Sequence, residues 1–129
     1  MLQQHEIEFR VRYQETDAQG RVHHANYVTY FEMGRTEQLR ASGFSYRDFE
    51  QRGFMLVVTS LECRYMGAAE YDDLLRLRTT TTRTTGVRIE HLYEVFRGEE
   101  KIAEGRTTLA CVDRSGKVTR IPDWASGSS

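Results

Sequence analysis

No apolar run in this chain approaches the roughly 20 residues needed to cross a bilayer, so no inserted helix is expected. Like charges never accumulate into a long block, and the formal net charge is -1 with a pI near 6.4. Neither acid nor base dominates, which argues against a nucleic-acid or anionic-membrane partner. Cysteine is scarce. Cys63 and Cys111 lie too far apart for a CxxC redox or zinc spacing, and both fall in strand-like stretches. They are expected to be buried free thiols, in keeping with a reducing compartment. The polar, acidic start (residues 1–10) lacks the pattern of a signal peptide, so a soluble cytoplasmic protein is expected. There is no internal repeat, no low-complexity linker, no GxSxG elbow, no Walker A sequence and no GxGxxG after a strand. These gaps remove the common serine hydrolase, NTPase and Rossmann readings. HxxxH and HExxH spacings are missing as well, so no metal is expected.

What remains is one domain of 129 residues, long enough to bury about two thirds of its unfolded surface without a disulfide or a metal. Its expected bounds are 1–124, with 125–129 a small, polar, disordered tail. Residues 5–13 alternate, with Ile7, Phe9, Val11 and Tyr13 on one face and Glu6, Glu8, Arg10 and Arg12 on the other. That period of two predicts a strand ending near Glu15. Over 27–41 the period changes to that of a helix. Tyr27, Tyr30, Phe31, Gly34 and Ala41 share a stripe with Gln38, while Val28 and Leu39 sit at its edge. Gly34 costs a helix about 1 kcal/mol against alanine, which predicts a sheet packed close to the helix backbone there. Gly43 supplies the stop, and Asn26 is the expected N-cap. A short second helix is expected at 45–49, closed by Gly53. Strands follow at 55–65, 74–85, 87–96 and 101–112, with turns at 97–100 and 113–116. Strand, long helix, then four strands reads as an α+β domain with an antiparallel five-stranded sheet and a helix laid on one face. The sheet's open edge and remaining surface predict a homo-oligomer.

The densest chemistry lies in Thr16-Asp17-Ala18-Gln19-Gly20-Arg21-Val22-His23-His24-Ala25-Asn26-Tyr27. It holds an aspartate at a strand end, a glycine turn and a helix entry. From the spacing alone the aspartate is a turn former as readily as a catalytic group. The string running on from it, TDAQGRVHHANYVTYFEMGRTEQLR, resembles the hotdog-fold acyl-CoA thioesterases of the 4-hydroxybenzoyl-CoA and Tol-Pal-associated group. So do Tyr71-Asp72-Asp73, Arg97-Gly98 and Ala103-Glu104-Gly105-Arg106 leading to Cys111-Val112-Asp113. The likeness covers nearly the whole chain. It implies a hotdog fold, five antiparallel strands wrapped around one central helix, and a dimer or dimer of dimers with active sites at the subunit interface. It implies hydrolysis of a coenzyme A thioester with no cofactor, coenzyme A being part of the substrate. By motif position it makes Asp17 the catalytic carboxylate, His24 the residue whose backbone N–H polarises the thioester carbonyl, and Gly20 the turn glycine between them. Where the family often has Gly or Pro-Ala, this chain has Ala18-Gln19; where it has Tyr or Trp, this chain has His23.

The chemistry suits these parts. A helix start offers free amides and roughly half a positive charge to a developing oxyanion. An ionised aspartate activates water or attacks the carbonyl itself, and the sequence leaves both routes open. Tyr27 borders the expected acyl pocket, and Phe54, Val57, Val58 and Thr59 are expected to wall it across the interface. Arg83 and Arg88 are candidates for the coenzyme A phosphates, against the simpler reading of solvated surface. His91, on an alternating strand, is expected to be a satisfied core or interface histidine, and Glu37 a solvated charge. Two other functions fit the fold: a hydratase or dehydratase acting on an acyl-CoA, and an acyl-CoA-binding module without catalysis.

Overall fold

Alternation shapes the first element. In β1 (Gln4–Arg10) His5, Ile7 and Phe9 turn inward, while Glu6, Glu8 and Arg10 face out. The structure, a computed structural model, describes residues 3–126. β1 stops short of the expected 5–13 because the chain tightens into a 3-10 turn at Tyr13–Glu15. The Glu15 carboxylate draws this turn closed by accepting the Arg12 amide at 2.8 Å. Tyr13 therefore leaves the buried face. It is 76% exposed, with its ring edge-on to Tyr71 at 5.5 Å.

Helix α1 (Asn26–Ala41) buries Tyr27, Tyr30, Phe31, Gly34, Gln38 and Leu39. Two details differ from expectation: Ala41 is exposed, and Asn26 lies inside the helix. The Asn26 side chain reaches back to the Glu15 carbonyl instead of capping (Nδ2 to O, 2.8 Å). The prediction for Gly34 holds. A Cβ there would stand 2.7 Å from Leu77 Cδ2 and closer still to Thr79 Oγ1, so only glycine lets the sheet approach this closely. Ser45 caps α2 (Tyr46–Gln51) with a reciprocal bond to Asp48, and Gly53 (φ +93°) ends the segment.

Four strands follow: β2 (Phe54–Tyr65), β3 (Leu74–Thr84), β4 (Arg88–Arg97) and β5 (Glu100–Asp113). All pairings are antiparallel, in the order β1-β3-β4-β5-β2, so β1 and β2 form the edges. Helix α1 lies mainly over β1, β3 and β4, and its Phe31 ring fills the space over Gly105 of β5. The core is thus divided. One cluster gathers Tyr30, Phe31, Leu75, Leu77, Tyr93 and Ile102 under the helix. A second sets Phe49 of α2 with Ile89, Cys111, Ile121 and Ala125. Ala125 belongs to α3 (Asp123–Ser126), with Trp124 edge-on to Phe44 at 5.4 Å. Residues 125 and 126 are therefore helical where a tail was expected; positions 127–129 lie outside the described residues. On the outer face charges alternate across the strands. Glu6 pairs with Arg76 (3.0 Å) and Arg78 (3.4 Å), and Glu94 with Arg78 (3.8 Å) and Lys101 (3.0 Å). Among the described residues no helix is long and apolar enough to cross a membrane.

Candidate active site

The turn that carries Asp17 is a small hairpin of its own. Thr16 pairs with Val22 in an isolated antiparallel bridge. Within it the Asp17 amide donates to the Arg21 carbonyl (2.8 Å), and the Gly20 amide donates to the Asp17 carbonyl (2.9 Å). Gly20 takes φ +79°, which an L side chain rarely adopts. One carboxylate oxygen of Asp17, Oδ1, accepts the Gln19 amide at 2.9 Å and the Arg21 amide at 3.4 Å. The other, Oδ2, has no hydrogen-bond donor among the described residues. The carboxylate is half-buried, oriented by backbone amides and open on one oxygen.

A single residue ties this turn to the head of α1. The Glu15 carbonyl accepts the His23 amide (2.9 Å) and the Asn26 side chain (2.8 Å). Its carboxylate, in a residue 6% exposed, accepts the Arg12 amide and the Tyr30 hydroxyl (2.9 Å) and pairs with Arg12 Nε (3.1 Å). Burial, and then the bond to this carboxylate, drive the Tyr30 hydroxyl far above its ordinary range, so it stays a donor. Behind the turn, Val22 donates to the Ala69 carbonyl (2.9 Å), and Arg97 holds the Ala68 carbonyl. Glu15 was not singled out from the sequence. Strand parity gave no signal for it, because the alternation ends at Arg10 and the 3-10 turn, not a strand, carries Glu15 inward while Tyr13 faces out.

The amides at the helix head are nearly all used. Ala25 donates to His23 Nδ1 (3.1 Å), Asn26 to the His23 carbonyl (2.9 Å) and Tyr27 to the His24 carbonyl (3.3 Å). The His24 N–H has no acceptor among the described residues, and His24 is exposed. The imidazoles of His23 and His24 stack at 4.2 Å, which leaves no common point for a metal. Tyr65, at the end of β2, donates its hydroxyl to the His24 carbonyl at 3.0 Å. Burial, and then the bond to Cys63, push that hydroxyl up to about 12. Both thiols, Cys63 and Cys111, are pushed up by burial, so neither is an activated nucleophile.

The structure thus brings Asp17, Gly20, His23 and His24 into one hydrogen-bonded unit. Tyr27 lies just beneath it, 3% exposed, edge-on to Tyr65 at 5.4 Å. The remaining expected binding residues lie elsewhere on the chain. Val57, Val58 and Thr59 are exposed on the edge strand β2, six residues or more before Tyr65, or about 20 Å of strand. Phe54 packs edge-on to Phe49 at 5.9 Å. Arg83 (3.8 Å from Glu90) and the exposed Arg88 flank the β3–β4 turn, at the far end of α1 from His24. Within one chain they do not meet the Asp17 turn. His91 is buried but not satisfied, since its Nδ1 has no partner among the described residues. Glu37 pairs with Arg40 at the surface.

A carboxylate with one free oxygen and an unused amide, held on one frame, are the parts needed to activate an attack on a carbonyl and to hold the oxyanion. Known proteins point the same way. The family model described as the thioesterase-like superfamily matches residues 11–127. The acyl-CoA thioesterase YbgC of Haemophilus influenzae is 36% identical over 105 residues, covering 81% of this chain and 77% of its own. Among solved structures, a hypothetical protein from Aquifex aeolicus superimposes with TM-score 0.90 at 33% identity, covering 93% of this chain and 94% of its own. The DHNA-CoA thioesterase of Staphylococcus aureus does so with TM-score 0.89 at 32% identity, covering 94% and 85%. Sequence, topology and the Asp17 turn agree, and the chain belongs to the thioesterase-like superfamily, with the hotdog fold.

Proposed function

We propose that the protein hydrolyses an acyl-CoA thioester to the free acid and CoA thiol. The observation that carries this reading is the shared anchor: the Glu15 carbonyl, two residues before Asp17 in the chain, accepts the His23 amide and the Asn26 side chain, which lie on either side of His24. The thioester oxygen sits at the His24 N–H, where charge develops as the carbonyl becomes tetrahedral. In the general-base route Asp17 takes a proton from water as the water oxygen bonds to the carbonyl carbon. The C–S bond then breaks, the thiolate leaves with the electron pair, and it is protonated to the thiol. In the nucleophilic route Asp17 attacks first. The thiolate leaves from a mixed anhydride, which water then hydrolyses. A thiolate needs little acid assistance to leave, so one carboxylate and one amide suffice in kind, and no metal or redox cofactor enters the reaction as written.

In this reading the working unit is a homodimer or larger. β2 is an edge strand of 12 residues with Val57, Val58, Leu61 and Tyr65 exposed, and a second copy would cover it. Phe54, Val57, Val58 and Thr59 would then face the partner's substrate. Arg83 and Arg88 would meet coenzyme A phosphates bound chiefly by another copy. The test is Asp17→Asn assayed on a panel of acyl-CoAs for released thiol. Turnover is expected to fall by about 10²–10⁴ with the melting temperature unchanged. A folded variant that keeps most of its rate removes Asp17 from the mechanism.

A further inference from the structure

A second place in the molecule has the features of a binding site. Along the C-terminal half of α1 a cavity of about 340 Å³ opens between the helix and strands β2, β4 and β5. That is near the lower end of the roughly 300–1,000 Å³ occupied by small-molecule sites. Its apolar walls are Leu39, Leu56, Ile89 and Leu109, and its inward polar groups include His91 and Arg35. His91 is 4% exposed, and no hydrogen bond satisfies either ring nitrogen among the described residues; Nδ1 is sealed from solvent. A buried polar group left unpaired costs about 1–3 kcal/mol, and native proteins rarely retain one without a reason. Arg35 bonds to the Tyr93 hydroxyl but has no carboxylate within ion-pair distance among the described residues, although ten such pairs form elsewhere among them. Glu32 also lines the cavity, but on its exposed side, where water screens it. The Tyr46 hydroxyl is already spent on the Leu56 backbone, at 2.9 and 3.2 Å. Burial, reinforced by the Arg35 charge, lowers the His91 pKa to about 4, so at neutral pH the ring is uncharged and offers one N–H.

We propose that this cavity binds the carboxylate of a small aliphatic acid, with the Arg35 guanidinium and the His91 N–H on its oxygens and the four aliphatic side chains around its alkyl body. A planar guanidinium fork matches a carboxylate better than a lone hydroxyl, and the walls suit an unbranched chain rather than a bare anion. Such a carboxylate has two sources. It is either a free acid or the far end of an acyl group whose thioester lies at the helix head. The helix rise from His24 to Arg35 is about 16 Å, within the span of an extended acyl chain. Only the second source rests on the proposed function; the binding itself does not.

The experiment titrates the full chain with octanoate, octanol and acetate by calorimetry, while the His91 ring signals are followed by NMR. Octanoate should saturate the site and shift His91. Octanol, which lacks the charge, and acetate, which lacks the body, should each bind about tenfold more weakly or worse. Arg35→Gln should weaken octanoate about tenfold, and Asp17→Asn should leave octanoate affinity unchanged, so loss of the catalytic reading does not disturb this one. The CoA thioesters of tetradecanoate and of tetradecanedioate, whose extended chains match that rise, then separate the sources. If the carboxylate is the substrate's own far end, Arg35→Gln lowers the tetradecanedioyl-to-tetradecanoyl ratio of kcat/KM about tenfold. If the ligand is a free acid, that ratio stays fixed while octanoate still binds. Equal affinity for octanoate and octanol overturns the proposal, as does octanoate binding without movement of His91. Should Arg35→Gln fail to fold, those two wild-type comparisons decide.

Discussion

The two ends of α1 are built on opposite principles. At the head, hydrogen bonding is nearly complete: Glu15 gathers the turn, the helix entry and Tyr30, and the His24 amide alone lacks an acceptor among the amides of 23–27. At the tail, a cavity sits against a buried imidazole that has no hydrogen-bond partner, and an arginine that has no carboxylate in ion-pair reach, among the described residues. The head is constrained to hold one geometry, as chemistry on a carbonyl requires. The tail keeps space, a cation without a carboxylate beside it and an imidazole without a bond among the described residues, as a ligand pocket requires. Loss of order should therefore damage the first, and gain of a ligand should change the second.

Beyond Asp17, the largest expected break of the contrast is at the head. Glu15→Ala removes a buried carboxylate and strands the Tyr30 hydroxyl and the Arg12 amide, at a cost of about 3 kcal/mol. Turnover should fall with it, and Glu15→Gln, which keeps an acceptor for both donors, should recover part of each; urea melts and thiol release measure the two. The tail responds to acid. Because the folded His91 titrates near 4 rather than 6.5, the unfolded chain binds the extra proton first as pH falls. Stability from keeping this ring neutral is complete above pH 6.5 and is lost progressively as pH drops toward 4. At about 1.4 kcal/mol per pH unit the loss totals about 3 kcal/mol. His91→Phe should flatten the stability profile across that window by a comparable amount, and an unchanged slope would show that the ring is not held neutral.

Between the ends, Gly34→Ala tests the packing both depend on. In an open helix it would gain about 1 kcal/mol. Against the buried Leu77 and Thr79 side chains it should instead give a net loss of about 1–2 kcal/mol, read from the urea midpoint. The smallest effect expected is that of His24→Ala. The backbone amide survives the change, so turnover should stay within about threefold of the original. A much larger loss would assign the imidazole a part in the chemistry.

Elements fixed by local periodicity were legible in the sequence. β2 to β5 and α1 lie within two residues of their expected bounds. The close approach at Gly34 was legible too, because a glycine on an apolar stripe weakens its helix and is offset by a neighbour packed where a Cβ would stand. The misreadings share one cause. Tyr13, Asn26 and Glu15 take positions set by bonds to each other's neighbourhood, and none of those bonds follows from a residue's own propensity. Asp17, Gly20 and His24 were found through a motif whose residues are close in sequence. The cavity was hidden for the converse reason: Arg35, Leu56, His91 and Leu109 come from four elements and meet only once the sheet has folded over the helix.

The outer face of the sheet has a consequence at longer range. Glu6 and Glu94 there are matched by arginines and lysine within a few ångströms, so these charges are answered locally and little of their potential extends into solvent. A polyanion such as coenzyme A would be neither drawn to that surface nor repelled by it. Capture must then depend on groups at the mouth of the site, and the back of the molecule does not compete with that site for a polyanion.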